Sequence, residues 1–228
     1  MASVTRKPQA SREARRGRIE RRLLAATERL MSRGASFTEL SVDRLSAEAG
    51  ISRASFYIYF ADKGDLLRRL AGHVFGDLTE AAQSWWQVAW RNDPADIHRG
   101  MAGIIAGYRR HQRLLIALSE MSGYDPQVAE TYRGLLAGIA GELTTVIAAG
   151  QADGSIDAAV SAEVTASALT WMVERTCQQE LPSRPPEYDA ELATTLTAVV
   201  RGALYAPAQR LHGDQVVGVH GGPPQVGG

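Results

Sequence analysis

A short stretch of the chain, residues 41–63, concentrates side chains that can hydrogen-bond to phosphates or to the edges of bases. Ser52 and Arg53 are followed within a few residues by Tyr57 and Tyr59, and Lys63 is one of only two lysines in the sequence. A guanidinium group can form two parallel hydrogen bonds to one planar partner, whereas hydroxyl and ammonium groups bind single oxygens. These residue types indicate recognition of an anionic partner.

The same stretch predicts the elements that would position these side chains. Gly50 lies where the chain must reverse, and glycine adopts a positive φ at little steric cost. Ser41 and Ser52 each stand in the N-cap position of a short helix. The pattern is that of a helix-turn-helix, with its second helix over about residues 52–59 and a longer helix starting near Asp62.

The order and spacing of these residues resemble the DNA-binding domain of the TetR family of transcriptional repressors. The resemblance rests on the run GISRASFYIYF from Gly50 to Phe60 and on DKGDLL from Asp62 to Leu67. It covers roughly residues 18–70, with Gly64-Asp65 where many relatives have glutamate and alanine. It implies an all-α protein, with an N-terminal three-helix helix-turn-helix domain and a C-terminal helical ligand-binding and dimerisation bundle.

The resemblance also implies which side chains meet double-stranded DNA. In a helix-turn-helix the start of the second helix faces the base edges, where Arg53 suits guanine and Ala54 offers only apolar contact. The two tyrosines and the lysine are expected on phosphates, although either tyrosine can instead be a half-buried packing residue. The expected DNA-binding residues are Ser41, Ser52, Arg53, Ala54, Ser55, Tyr57, Tyr59 and Lys63.

The distribution of charge agrees with this interpretation independently. The whole chain is formally neutral, but residues 1–70 hold 15 Lys and Arg against 8 Asp and Glu, and the remainder holds 10 against 17. A basic module on an acidic body is typical of phosphate binding confined to one end. The alternative is that the arginine-rich N-terminus is merely solvated.

Breaks in the helical pattern divide the chain into four parts. Residues 1–14 predict a flexible basic arm, and residues 15–70 the helix-turn-helix DNA-binding domain. A helical regulatory and dimerisation domain is expected over residues 71–206, and the Gly- and Pro-rich residues 207–228 predict a disordered tail. In the body, helices are predicted near residues 95–111, 113–122, 126–150, 158–180 and 187–205.

Several classes of protein are disfavoured by what the sequence contains. It has no run of 18 apolar residues and no signal-peptide core, and its single Cys177 suits a reducing cytoplasm. The sequence carries no nucleophile motif or phosphate-binding glycine loop, and its histidines lack metal-ligand spacing. We expect a cytoplasmic protein that is not an enzyme, with no membrane association, cofactor or metal. The five histidines are His73, His98, His111, His212 and His220.

The helical body has aromatic residues spread among Ala, Leu, Ile and Gly, as in ligand pockets between helices, although such residues also fill ordinary cores. The run Ala168–Thr176 is similar to a segment bordering an apolar tunnel in one family member, whose ligand-binding asparagine is replaced here by Val173. Arg175 or Glu174 is expected to fix a polar end of the ligand. The candidate ligand-binding residues are Trp86, Tyr108, Ile139, Trp171 and Arg175.

Two functions therefore remain open. The first is a ligand-responsive repressor that acts as a homodimer on a palindromic operator and is released by a small apolar effector. The alternative is a non-sensing DNA-binding or nucleoid-type protein whose body only dimerises. In both, the last two helices are expected to form the dimer seam. The residues predicted for this seam are Leu169, Met172, Leu192, Leu196, Val199 and Val200.

Overall fold

The computed structural model describes residues 7–205, with side chains described from Ala14 onward. Over this range the chain forms eight α-helices and two single 3-10 turns, with no strand, which confirms the predicted all-α class. The helices are α1 Lys7–Ser32, α2 Val42–Glu48, α3 Arg53–Tyr59, α4 Lys63–Trp86, α5 Pro94–Ser122, α6 Pro126–Asp153, α7 Ala162–Glu180 and α8 Tyr188–Tyr205.

Two helices are longer than the sequence pattern predicts. Helix α1 begins at Lys7, so residues 7–14 are helical where a flexible arm was predicted. Pro8 is compatible with this start, because proline is tolerated in the first turn of a helix. Helix α5 is unbroken from Pro94 to Ser122, so the predicted interruption near residue 112 is wrong. Residues 1–6 and the predicted tail, 207–228, lie outside the described residues.

The helix-turn-helix forms through the local signals seen in the sequence. The Ser41 hydroxyl caps α2 by accepting the amide of Arg44 at 3.2 Å, and the Ser52 hydroxyl caps α3 by accepting the amide of Ser55 at 3.0 Å. Each bond satisfies an amide that has no partner within its own helix. Gly50 has φ of +64°, the left-handed conformation that the turn requires.

The core of the DNA-binding head is built by residues that face inward at helical spacing. Phe56 and Phe60 are almost fully buried, and their ring centroids lie 5.2 Å apart. Leu40 and Leu45 flank the start of α2 and are both fully buried, as expected for a hydrophobic staple. Burial of these side chains leaves the opposite face of α3 free for solvent or a partner.

Helix α4 is the element that connects the head to the body. Its N-terminus is capped by Asp62, whose carboxylate accepts the amide of Asp65 at 2.7 Å. Its first turns bury Leu67 and Leu70, whereas further along Phe75 and Leu78 belong to the body. The whole span from Lys63 to Trp86 is one uninterrupted helix. The same helix therefore contributes to the packing of both head and body.

The body is a helical bundle around α4 and α5. Helix α4 packs on α5 and α6, α6 packs on α7, and α8 packs on α5. Helix α1 of the head also contacts α5, so two separate helices join head and body. Of the residues predicted for a dimer seam, only Val199 is exposed, and Met172 is partly buried. The other four face their own subunit's core: Leu169, Leu192, Leu196 and Val200.

Helix α6 is, among the described helices, the one long and apolar enough to cross a membrane by length and composition. Core helices of soluble proteins share this property. Here α6 packs against three other helices of the body and buries Tyr132, Leu136 and Leu143 between them. Of its most apolar 18-residue window, 22 % is buried in this way, so much of the apolar surface of α6 is not covered within the single chain.

Candidate functional site

The arginine predicted to read a base is held at the surface by two neighbours. The Arg53 guanidinium lies 2.6 Å from the Asp43 carboxylate of α2, and both side chains are about 60 % exposed. The same guanidinium lies 5.7 Å from the centroid of the Tyr57 ring, which is itself half exposed. The contact with Asp43 uses one of the five N–H donors of Arg53 and holds the guanidinium beside the start of α2.

The other predicted residues of this surface lie beside Arg53. Ser41, Ser52 and Ala54 are exposed, and the partly buried Ser55 hydroxyl lies 2.9 Å from that of Ser52. The structure thus brings together the N-termini of α2 and α3, with their capping hydroxyls at the surface. Capping does not prevent a phosphate contact, because a hydroxyl has both a donor and acceptor sites.

Tyr59 and Lys63 are held more tightly than the sequence indicates. Tyr59 is partly buried against the hydrophobic core, which is the packing alternative raised above. The Lys63 ammonium donates to the Thr38 carbonyl at 2.8 Å and lies 5.9 Å from the centroid of the Phe37 ring. Lys63 is thus positioned by the connection between α1 and α2. Its contact with phosphate stays a prediction.

Part of the basic character of the head is structural. Three arginines of α1 donate to backbone carbonyls of the helix-turn-helix. Arg16 bonds the Tyr59 carbonyl at 3.3 Å, and Arg22 bonds the Gly50 carbonyl at 2.8 Å. Arg29 bonds the Glu48 carbonyl at 3.1 Å and its carboxylate at 2.7 Å. These contacts fix α1 across the turn, so the positive charge of the sequence is not all available for phosphates.

A narrow apolar cavity lies in the body between α4, α5, α6, α7 and α8. Its empty volume is about 600 Å³ with the open mouth included, of which about 70 Å³ admits the centre of a water-sized sphere. Its lining consists of Phe75, Leu78, Thr79, Ala82, Trp85, Trp86, Met101, Ile104, Tyr108, Leu136, Ile139, Leu143, Leu169, Thr170, Val173, Glu174 and Val200.

Three of the five predicted ligand-binding residues line this cavity: Trp86, Tyr108 and Ile139. The other two, Trp171 and Arg175, are not part of its lining, contrary to the prediction. Trp171 is 38 % exposed, and Arg175 is exposed with its guanidinium 3.1 Å from the Gln178 side chain. The reason is the phase of α7, which turns Thr170, Val173 and Glu174 inward and leaves residues 171 and 175 on the outer face.

The polar end of the cavity is Glu174, which is only 2 % exposed. One carboxylate oxygen accepts a hydrogen bond from the Tyr132 hydroxyl, and the other has no hydrogen-bond partner. Burial raises the pKa of Glu174, and the Tyr132 hydrogen bond and the Arg175 charge oppose the change. Burial, together with the charge of Glu174, also raises the pKa of Tyr108. A buried polar group of this kind is unusual in a cavity lined by apolar side chains.

A second buried polar cluster lies at the junction of head and body. His111 of α5 is 4 % exposed, and its two ring nitrogens face Glu28 of α1 and, at 3.2 Å, Asp77 of α4. Burial alone would lower the pKa of His111, but the two carboxylates outweigh it and raise the pKa. His73 of α4 makes a similar contact with Glu20 of α1 at 3.2 Å. No spacing in the sequence predicts these pairs, because their members are far apart in the chain.

The single cysteine of the chain, Cys177, is buried in α7. Burial raises the pKa of the Cys177 thiol to about 12, so it stays protonated and unreactive at neutral pH. Within the described residues, no three His, Cys, Asp or Glu side chains are grouped so as to hold a metal ion.

The head and body of this chain match separate family models. Residues 23–70 match the model described as "Bacterial regulatory proteins, tetR family". Residues 97–206 match that described as "Transcriptional regulator EthR, C-terminal domain". The HTH-type transcriptional regulator EthR of Mycolicibacterium smegmatis is 31 % identical over 211 residues, covering 90 % of this chain and 95 % of the relative. EthR of Mycobacterium tuberculosis is 27 % identical over 213 residues, covering 90 % and 96 %.

Solved structures share the fold. A TetR transcription regulator from Haloarcula marismortui has a TM-score of 0.63 at 19 % identity, covering 82 % of this chain and 97 % of the other. FadR from Bacillus subtilis in complex with stearoyl-CoA has a TM-score of 0.64 at 13 % identity, covering 81 % and 98 %.

A helix-turn-helix head joined by a long helix to an all-α body defines a DNA-binding transcriptional regulator. This chain belongs to the TetR family of bacterial regulators and is similar to EthR.

Proposed function

We propose that the protein is a ligand-responsive transcriptional repressor that binds a palindromic operator as a homodimer and is released by a small apolar effector. The observation that carries this proposal is the double role of α4. Its N-terminal turns pack in the DNA-binding head, and Phe75, Leu78, Ala82 and Trp86 of the same helix line the cavity. A ligand in the cavity therefore contacts the element that positions α3.

The proposed coupling acts through the separation of two recognition helices. A dimer on B-DNA must hold them about 34–36 Å apart, which is one helical turn of the duplex. A ligand that displaces α4 within each subunit changes this separation. The ligand can shift the equilibrium between the DNA-binding conformation and the released conformation only by the ratio of its affinities for the two. This ratio is typically about 5- to 150-fold.

Contact with DNA is assigned to the surface around α3. Arg53, Ala54 and Ser55 would face the bases, and Tyr57 would donate its exposed hydroxyl to a phosphate. Ser41 and Ser52 would add contacts at the starts of their helices. Lys63 and Tyr59 are proposed as phosphate contacts with a second, structural role, since both are partly buried.

The homodimer is proposed to form through α7 and α8. Both helices carry apolar side chains that are exposed in the single chain, namely Val164 at 68 %, Trp171 at 38 % and Val199 at 44 %. Large exposed apolar groups of this kind favour an interface. A twofold partner would bury them and would match the symmetry of a palindromic operator.

The effector class is supported by the lining of the cavity, in which polar side chains are few. FadR from Bacillus subtilis, a relative in fold, has been solved with stearoyl-CoA, a ligand that carries a long acyl chain. We assign the protein to the cytoplasm, because a single free cysteine, Cys177, suits a reducing environment.

The test begins with a thermal-shift screen of apolar compounds on the purified protein. Any compound that stabilises it is then titrated against its complex with an operator selected from a random duplex pool. Reduced operator affinity supports the repressor with a sensing body. A protein that binds DNA tightly but is stabilised by no apolar compound would instead be the non-sensing regulator whose body only dimerises.

A further inference from the structure

Resting on the proposed function, we propose that the effector carries one protonated amine at the end of its apolar chain, and that Glu174 is the residue that binds this amine. The position is defined by α7, which turns Glu174 into an otherwise apolar cavity. No other carboxylate is part of the cavity lining among the described residues. An amine would therefore have a single acidic partner.

The first support is an incomplete set of hydrogen bonds. Glu174 is 98 % buried, and its Oε2 atom has no hydrogen-bond partner. Its nearest cation is Arg175, whose Nε lies 3.9 Å from this oxygen, too far for a hydrogen bond. Arg175 itself is more than half exposed, and its guanidinium donates to the Gln178 side chain at 3.1 Å. A buried carboxylate oxygen without a donor is costly, so a ligand that supplies one is favoured.

The second support is a neighbouring acceptor on the same helix. Thr170 precedes Glu174 by four residues, which places the two side chains on one face of α7. Its hydroxyl oxygen is buried, lines the cavity and also lacks a hydrogen-bond partner. An ammonium group has three donors, so it can bond both Glu174 Oε2 and Thr170 Oγ1. A ligand hydroxyl can donate to Glu174 and accept from Thr170, but it brings no positive charge to the buried carboxylate, and charge-assisted hydrogen bonds are the stronger ones.

The carboxylate is already held in place for this contact. Tyr132 of α6 donates its hydroxyl hydrogen to the other oxygen of Glu174, and this bond restricts the orientation of the carboxylate. The aromatic residues Trp86 and Tyr108 also line the cavity, and aromatic faces attract cations. A carboxylate-bearing ligand would instead be repelled by Glu174. The site therefore distinguishes an amine from an acid with the same chain.

Three probes with a common ten-carbon chain test the inference: decylamine, decanol and decanoic acid. Their affinities for the full-length protein are measured by titration calorimetry below their aggregation concentrations. We expect decylamine to bind at least about tenfold more tightly than decanol, because charged hydrogen bonds are stronger than neutral ones. We expect Glu174→Gln to abolish this preference, so that decylamine and decanol bind the variant with similar affinity. Glu142→Gln, at an exposed acid of α6, serves as the matched control and should keep the preference.

The outcomes separate this inference from the proposed function. Equal binding of decylamine and decanol to the unmodified protein would overturn the amine assignment and leave the apolar cavity intact. Binding of none of the three probes would overturn both. The comparison of probes on the unmodified protein needs no variant, so it decides the matter even if Glu174→Gln fails to fold. A preference for amine that persists in a folded Glu174→Gln variant would also contradict the assignment.

Discussion

His111 of α5 hydrogen-bonds Glu28 of α1 through its Nδ1 atom, and this contact joins the body to the DNA-binding head. Its Nε2 atom lies 3.2 Å from Asp77 of α4, so one buried ring links three helices. The imidazole can donate to both carboxylates only when it is protonated. The link between head and body is therefore sensitive to the protonation of a single side chain.

The first prediction concerns pH and stability. The pKa of His111 is raised in the folded protein. The stabilising contribution of His111 to the free energy of unfolding is therefore fully present at pH values below the ordinary histidine pKa of 6.5. The contribution is lost as pH rises through the folded-state pKa. We expect the unmodified protein to lose more unfolding free energy between pH 6 and pH 9 than the His111→Gln variant. Urea unfolding at both pH values is the measurement, with His98→Gln as control. Equal losses in unmodified protein and His111→Gln would contradict this role.

The second prediction concerns the restraint on Arg53. Asp43→Asn should release the guanidinium and raise operator affinity by about 1.4- to 5-fold, the value of a surface ion pair of roughly 0.2–1 kcal/mol. Removing a negative charge near phosphates would also raise affinity, so the same change is made in an Arg53→Ala background. If the gain there is as large as in the unmodified protein, Asp43 does not act by restraining Arg53. Fluorescence anisotropy with a labelled duplex gives both affinities.

The third prediction separates phosphate contacts from base contacts. Tyr57→Phe should weaken binding to cognate and scrambled duplexes by the same factor, because a phosphate contact carries no base identity. Arg53→Ala should relax the preference at one base position, worth about 1–3 kcal/mol for a bidentate contact. Tyr124→Phe, at a tyrosine of the body that is 90 % exposed, is the control and should change neither. Gel shifts on both duplexes are the measurement. Unchanged affinity of Tyr57→Phe for both would contradict a contact between Tyr57 and DNA.

The fourth prediction fills the cavity without a ligand. Ala82 of α4 is 4 % exposed and lines the cavity, so Ala82→Phe should displace α4 as an effector would. We expect operator affinity to fall by about 5- to 150-fold. Overpacking also costs stability, roughly 1–3 kcal/mol, so circular dichroism must show a folded protein. Ala137→Phe on the exposed face of α6 is the control. Unreduced affinity in a folded Ala82→Phe variant would argue against coupling through α4.

The helix-turn-helix was predictable because its signals are local. Ser41, Gly50 and Ser52 act on residues within four positions, and Phe56 and Phe60 face inward through helical spacing alone. Such features need no knowledge of what packs against them. The family resemblance then supplied the order of the elements and the expectation of a cavity in the body.

Features that depend on tertiary packing were not predictable in the same way. His111 and Glu28 are 83 residues apart, and no periodicity relates them. The phase of α7 depends on which neighbours it packs against, so Trp171 was assigned to the cavity when it is Thr170 that faces inward. The arginines of α1 contribute to the positive charge counted over residues 1–70, but Arg22 is used to hold the Gly50 carbonyl. A count of charged residues does not show which groups each of them contacts in the folded protein.

The most direct test of the central claim is the operator affinity of the protein with its cavity occupied. The probe that binds most tightly among decylamine, decanol and decanoic acid is added at saturation to the complex with a selected palindromic duplex. Anisotropy of the labelled duplex then reports the dissociation constant. We predict that affinity falls about 5- to 150-fold and that DNA weakens probe binding by the same factor. An unchanged dissociation constant with the cavity saturated would contradict the claim that this cavity controls DNA binding.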